Sequence, residues 1–164
     1  MSYWRFAAMI TASTIAMFGM MYLNTYEIGH VFFSQTRFWM ALLMGAGMAA
    51  IMLAFMWPMY RSARLNAGIM VASVIIFAAS LLLVRSQETV GDVSYMKAMI
   101  PHHSIAIMTS ERAHIRDPRV RKLADGIIAA QEREIAQMEG LIADLERTPV
   151  PAGAKDLPPK TATP

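Results

Sequence analysis

Apolar positions are distributed in two ways along the chain. Up to Arg85 they form three nearly unbroken runs, roughly residues 4–23, 38–57 and 67–84. Each is close to the ~20 residues with which a helix crosses a bilayer. From Val93 onward they recur at the three-and-four spacing of amphipathic helices, over residues 93–115 and 118–147. The polar stretch SQETVGD at 86–92 divides the two regimes, and the tail at 148–164 holds five of the eight prolines. The pattern predicts an all-α chain. Residues 1–85 form a membrane domain of three transmembrane helices, 86–92 a linker, 93–147 a soluble antiparallel two-helix hairpin, and 148–164 a disordered tail.

Flanking residues sharpen the membrane half. All three tryptophans, Trp4, Trp39 and Trp57, fall at run ends, where amphipathic rings prefer to sit. The first run lacks a clear small-residue cleavage site and two more runs follow it, so it is read as a span and not as a signal peptide. Arg5, Arg61 and Arg64 belong on the cytoplasmic side. That orientation puts the N-terminus inside and residues 24–37, together with everything after Arg85, outside. In a bacterium this is the plasma membrane with the soluble half in the periplasm. Arg37 and Arg85 run against the orientation rule.

Charge follows the same division. Residues 1–85 carry five Arg and one acid, Glu27, whereas 86–164 carry ten Lys/Arg and eleven Asp/Glu. No basic stripe interleaved with aromatics exists, so nucleic-acid binding is not expected. None of the three runs holds an internal acid or histidine, the usual mark of an ion path, which favours an anchor over a transporter. The chain has no cysteine and 16 methionines. Any soft-metal chemistry must therefore use Met and His. Met40, Met44, Met48, Met52 and Met56 recur every four residues in the second run. Such a row drifts about 40° per step on a 3.6-residue helix, so packing explains it better than a thioether path. Met17, Met20, Met21 and His30 lie toward the outer side and offer a further weak candidate.

The soluble half holds the more specific signal. On its first helix Met96, Met99, Ile100, His103, Ile107 and His114 share a face. On the second, Val120, Ala124, Ile127, Gln131, Glu134, Ile135, Met138 and Ile142 do. A carboxylate on a buried stripe is costly unless it is paired or bound to a cation. A tight turn between Ile115 and Pro118 sets His103 level with Ala130 and Gln131, Met99 with Glu134, and Met96 with Gln137 beside Met138. Met96, Met99, His103, Gln131, Glu134 and Met138 then form one layer. Thioethers suit Cu(I) and Ag(I), and imidazole suits copper, zinc and nickel. Glu134 could orient a histidine through its ring N–H. Pro101 removes one helix hydrogen bond next to the two histidines. His102 points about 100° away from His103, to the edge or to a second chain.

The stretch YMKAMIPHHSIAIMTSE, followed by DPRVRKLADGIIAAQEREIAQMEGLI, resembles the family called domain of unknown function 305. That is a ferritin-like helical family that includes periplasmic copper-binding proteins of the CopM type. The resemblance covers about Val93–Leu145. It implies Met96, Met99, His102, His103 and Met138 as ligands for copper or silver, with Gln131 and Glu134 as the family's polar pair. Met108 and His114 are further candidates for additional ligands or supporting groups.

The expected function is membrane-anchored, extracytoplasmic Cu(I)/Ag(I) binding for copper homeostasis or resistance, without catalysis. Two alternatives stand beside it. A two-helix hairpin buries little surface alone, so the segment could be an assembly module that completes a four-helix bundle as a homodimer. The Glu111-x-x-His114 step fits a ferritin-like di-metal oxidase, although Glu111 and Glu134 lie far apart in depth.

Overall fold

Three helix starts are written in the sequence as side-chain caps. Ser34, Ser62 and Asp117 each take extended backbone and accept a hydrogen bond from the N–H two or three residues on, at Arg37, Leu65 and Arg119. The computed structural model, which describes residues 2–157, is built from α1 (Tyr3–Met20), α2 (Gln35–Met56), α3 (Ala63–Ser86), α4 (Asp92–Arg112) and α5 (Pro118–Arg147). Short 3-10 turns at Ile28–His30 and Trp57–Met59 stand before and after α2. The described residues contain no strand.

Two of these helices, α2 with its extension to Met59 and α3, are long and apolar enough to cross a membrane. α1 ends at Met20, three residues short of the expected span, and carries Arg5, Thr11, Ser13 and Thr14. It is not among the helices long and apolar enough to span. α2 lies between α1 and α3 and packs on both. The α1–α2 approach is close at Gly45, where a Cβ would overlap the Thr14 hydroxyl. Val71, Val74, Ile75 and Leu82 of α3 are each more than half exposed, an apolar surface that suits lipid and not water.

The two ends of the apolar half differ. At one end Phe6, Ala49, Leu53 and Tyr60 form a buried cluster, with Tyr3 stacked on Tyr60 at 4.8 Å. Fully buried Asn66 closes it, accepting from the Tyr3 hydroxyl at 2.8 Å and donating to the Trp57 carbonyl at 3.3 Å. At the other end the α1–α2 connection runs over α4. There Tyr26 and Phe32 pack on the cluster formed by Met96, Ile100, Ile107, Ile135 and Ile142 of α4 and α5.

α4 and α5 run along each other, Lys97 meeting Glu146 at 2.6 Å and His103 meeting Glu134 at 3.1 Å. α5 occupies the expected 118–147, fixed by the Asp117 cap and by Pro118 at its first turn. α4 is shorter than the expected 93–115. It starts at Asp92 and stops at Arg112, because Ala113 turns extended (φ −65°, ψ 136°) and a five-residue link replaces the tight turn. Pro101 lies inside α4, buried, and the helix continues through it. Beyond Arg147 the chain is irregular to Leu157, with Gly153 at φ +95°. The part of the expected disordered tail at 158–164 lies outside the described residues.

Candidate metal centre

His103 is the centre of the site. Its side chain is 14% exposed, and Nδ1 lies 3.1 Å from Oε2 of Glu134, which is half exposed. Proximity is not alignment here: the same Nδ1 is buried and has no properly oriented hydrogen-bond partner. Burial pushes the His103 pKa below its ordinary value; the Glu134 carboxylate opposes this and the neighbouring His102 adds to it. Burial thus favours the neutral imidazole, the form that ligates metal. Imidazole and the thioethers of Met96 and Met99, on the same face of α4, are donor types that suit a soft cation.

The remaining expected ligands differ in exposure. Met96 is 6% exposed and belongs to the apolar cluster of α4 and α5, and Met138 packs against that cluster. Met99 is partly buried, one turn before His103. His102 is exposed, its ring centroid 6.4 Å from that of His103, as the separation of directions along a helix requires.

The depth of the layer needs correction. His103 faces Glu134, not Ala130 and Gln131, a displacement of about one turn. The physical cause is that helical side chains lean toward their own N-terminus. In opposed helices the α4 side chains lean away from the link and those of α5 toward it, so each α4 residue meets an α5 residue further from the turn. Gln131 is partly buried at the margin of an open groove with Arg119, Lys122 and Leu123, and is not brought to His103.

Residues 92–163 match the model of the family described as Domain of unknown function (DUF305). An uncharacterized protein, L153, of Acanthamoeba polyphaga mimivirus is 31% identical over 142 residues, covering 82% of this chain and 91% of its own. This chain belongs to the DUF305 family. The matched family segment is less than half of the chain, so the likeness to the mimivirus protein extends into the apolar half. No solved structure matches the chain.

Within this DUF305 chain the two further candidates lie off the site. His114 was expected on the His103 face of the first helix. It sits instead in the exposed link, because α4 has already ended. Met108 is partly buried, more than a turn past His103 toward the link. No group of three His, Asp or Glu side chains converges among the described residues, so a site here must recruit thioethers.

Sequence reasoning missed the contact that ties the apolar half to this family segment. Ser104, fully buried on α4, accepts from the Tyr26 N–H at 3.0 Å and lies 3.0 Å from Nδ1 of His30. Nε2 of His30 lies 3.8 Å from Glu27. His30 is thus engaged in docking the α1–α2 connection beside His103. A serine on an apolar face carries no sequence signal that separates such a dock from an ordinary helix position.

Proposed function

We propose that this DUF305 protein is a membrane-anchored, extracytoplasmic binder of Cu(I) or Ag(I), serving copper homeostasis or resistance. α2 and α3, with α1 against them, form the anchor. α4 and α5 hold the ion on the outer side, which in a bacterium is the periplasm. His103 supplies the imidazole and Met99 a thioether. Met96 and Met138 extend the sulfur set toward the buried cluster. His102 closes the site from the edge or from a second chain, and Glu134, 3.1 Å from Nδ1 of His103, takes up the Nδ1–H by a small shift of its carboxylate when Nε2 ligates the ion. The observation that carries this reading is the His103 nitrogen, buried and 3.1 Å from a carboxylate yet without an aligned partner. A thioether needs no deprotonation and a neutral imidazole little, so the ligands remain available outside the cytoplasm.

The test is titration of the detergent-solubilised protein with Cu(I) or Ag(I) against a competing chelator. Uptake by the wild type, reduced in His103→Ala and separately in His102→Ala, supports the reading. No uptake, or uptake indifferent to both substitutions, ends it.

A second reading, a homo-oligomeric assembly module, is favoured by one observation. Val120, Leu123 and Leu141 of α5 are 44–64% exposed, and Leu123 lines an open groove with Gly126 and Ile127. Mass in detergent with and without Ag(I) separates the two. A dimer unaffected by metal, by Met99→Leu and by His103→Leu assigns the layer to packing.

A further inference from the structure

The outer end of the apolar half holds a cleft and a cation whose bonding is incomplete. The cleft, of about 570 Å³, lies between α1, α2 and α3. Small residues of α2, among them Ala41 and Ala46, leave it open, and Phe18, Phe33 and Phe38 stand at its outer end. From Phe38 to Ala49 it follows α2 for about 16 Å at 1.5 Å per residue. That is close to half of the ~30 Å hydrocarbon core, or one leaflet. Its depth offers little to a polar ligand, since the Thr14 hydroxyl already donates to the Ile10 carbonyl at 2.8 Å.

Arg37 stands immediately before Phe38. Its guanidinium lies 4.4 Å from the centroid of the Tyr22 ring, which meets Phe18 edge-on at 5.5 Å. Nη1 is buried and has no hydrogen-bond partner. Glu27, the one acid in the first 85 residues, stands beside His30 instead. Arg37 also runs against the charge rule for an outer membrane face. An apolar cleft one leaflet long, with a guanidinium that meets no carboxylate near its outer end, matches one ligand class.

We infer that the cleft binds a phospholipid, one acyl chain lying along α2 and the phosphate at the guanidinium of Arg37. A guanidinium is the side chain best shaped for a phosphate. The inference rests on the reading of α2 and α3 as membrane spans and is independent of metal binding.

The full-length protein is first fractionated from cells, then purified in mild detergent and examined by native mass spectrometry. Phosphatidylglycerol is one probe; diacylglycerol with the same chains, which lacks the phosphate, is the other. The expected result is one phosphatidylglycerol retained per chain, at least tenfold more strongly than diacylglycerol. Arg37→Gln should abolish that preference and leave diacylglycerol retention unchanged, while Arg37→Lys restores part of it. Ile76→Trp, or Ile15→Trp should the first fail to fold, narrows the cleft from an exposed rim position and should lower retention of both lipids. Equal retention of the two lipids, indifference to Arg37→Gln, or a dimer that excludes lipid overturns the inference while leaving the anchor intact. Recovery of the chain in the soluble fraction overturns the anchor and the inference together.

Discussion

Asn66 and His103 are both withdrawn from water, and their surroundings treat them in opposite ways. Asn66, at the end of the apolar half away from α4, has its amide oxygen and its amide nitrogen each satisfied, by Tyr3 and Trp57. It staples the first turns of α1 and α3 to the α2–α3 connection. His103, in the family segment, has a carboxylate at 3.1 Å but no aligned hydrogen bond for the buried Nδ1. Ser104, the very next residue, is as closed as Asn66, accepting from Tyr26 and meeting His30. A buried polar group with full bonding is a structural device. The Nδ1 of His103, buried without an aligned bond, is the group on α4 to which the proposed metal reading is tied.

The largest effect is expected where bonding is incomplete. His103→Ala should weaken Cu(I) or Ag(I) binding by at least about 100-fold, the upper end of what loss of a mere supporting partner costs. Competition with a chelator measures it. Equal losses in His102→Ala and His103→Ala would place both rings in one role, against their separate directions. Asn66→Ala should do the reverse. It removes two hydrogen bonds, although the Tyr3 hydroxyl keeps the Ser62 carbonyl and the Trp57 carbonyl keeps the Tyr60 N–H, and should cost about 1–3 kcal/mol of stability, read by thermal unfolding in detergent, with metal affinity unchanged. A variant that unfolds little but loses metal would erase the distinction between the two sites. Glu134→Gln, which keeps shape and removes charge, should cost about tenfold in affinity if the carboxylate orients the ring. No change would reduce Glu134 to a surface neighbour.

Much of this division was legible in the apolar pattern, and particular residues show where legibility stopped. Asp117 and Pro118 fixed the start of α5 because a cap and an N-terminal proline are local signals. The end of α4 was misread because Ile115 continues the periodicity past Arg112, and only the geometry of the link decides where the helix must stop. Depth was misread by a turn because spacing along a sequence ignores the lean of side chains. His103 and Glu134 were visible as a histidine and an acid on apolar stripes. Ser104 was not, and His30 and Arg37 stood out only as a weak candidate and as an exception to the charge rule, because their contacts join segments distant in the chain.

The smallest expected effect is the dependence of the metal-free protein on pH, and its sign follows from the same comparison. Burial lowers the His103 pKa in the folded state below the ordinary value of about 6.5. The unfolded chain therefore binds the proton more readily than the folded one. Stability is full above the unfolded pKa and declines as the pH falls below about 6.5 toward the folded pKa. The nearby Glu134 carboxylate limits the shift, so the slope should be shallow. Thermal unfolding across this range in wild type and His103→Gln measures it. The substitution should flatten the slope, whereas an unchanged slope would mean that His103 is better solvated than its neighbours suggest. The bonded Asn66 has no proton to gain, so Asn66→Ala should lower the whole curve and leave its slope alone.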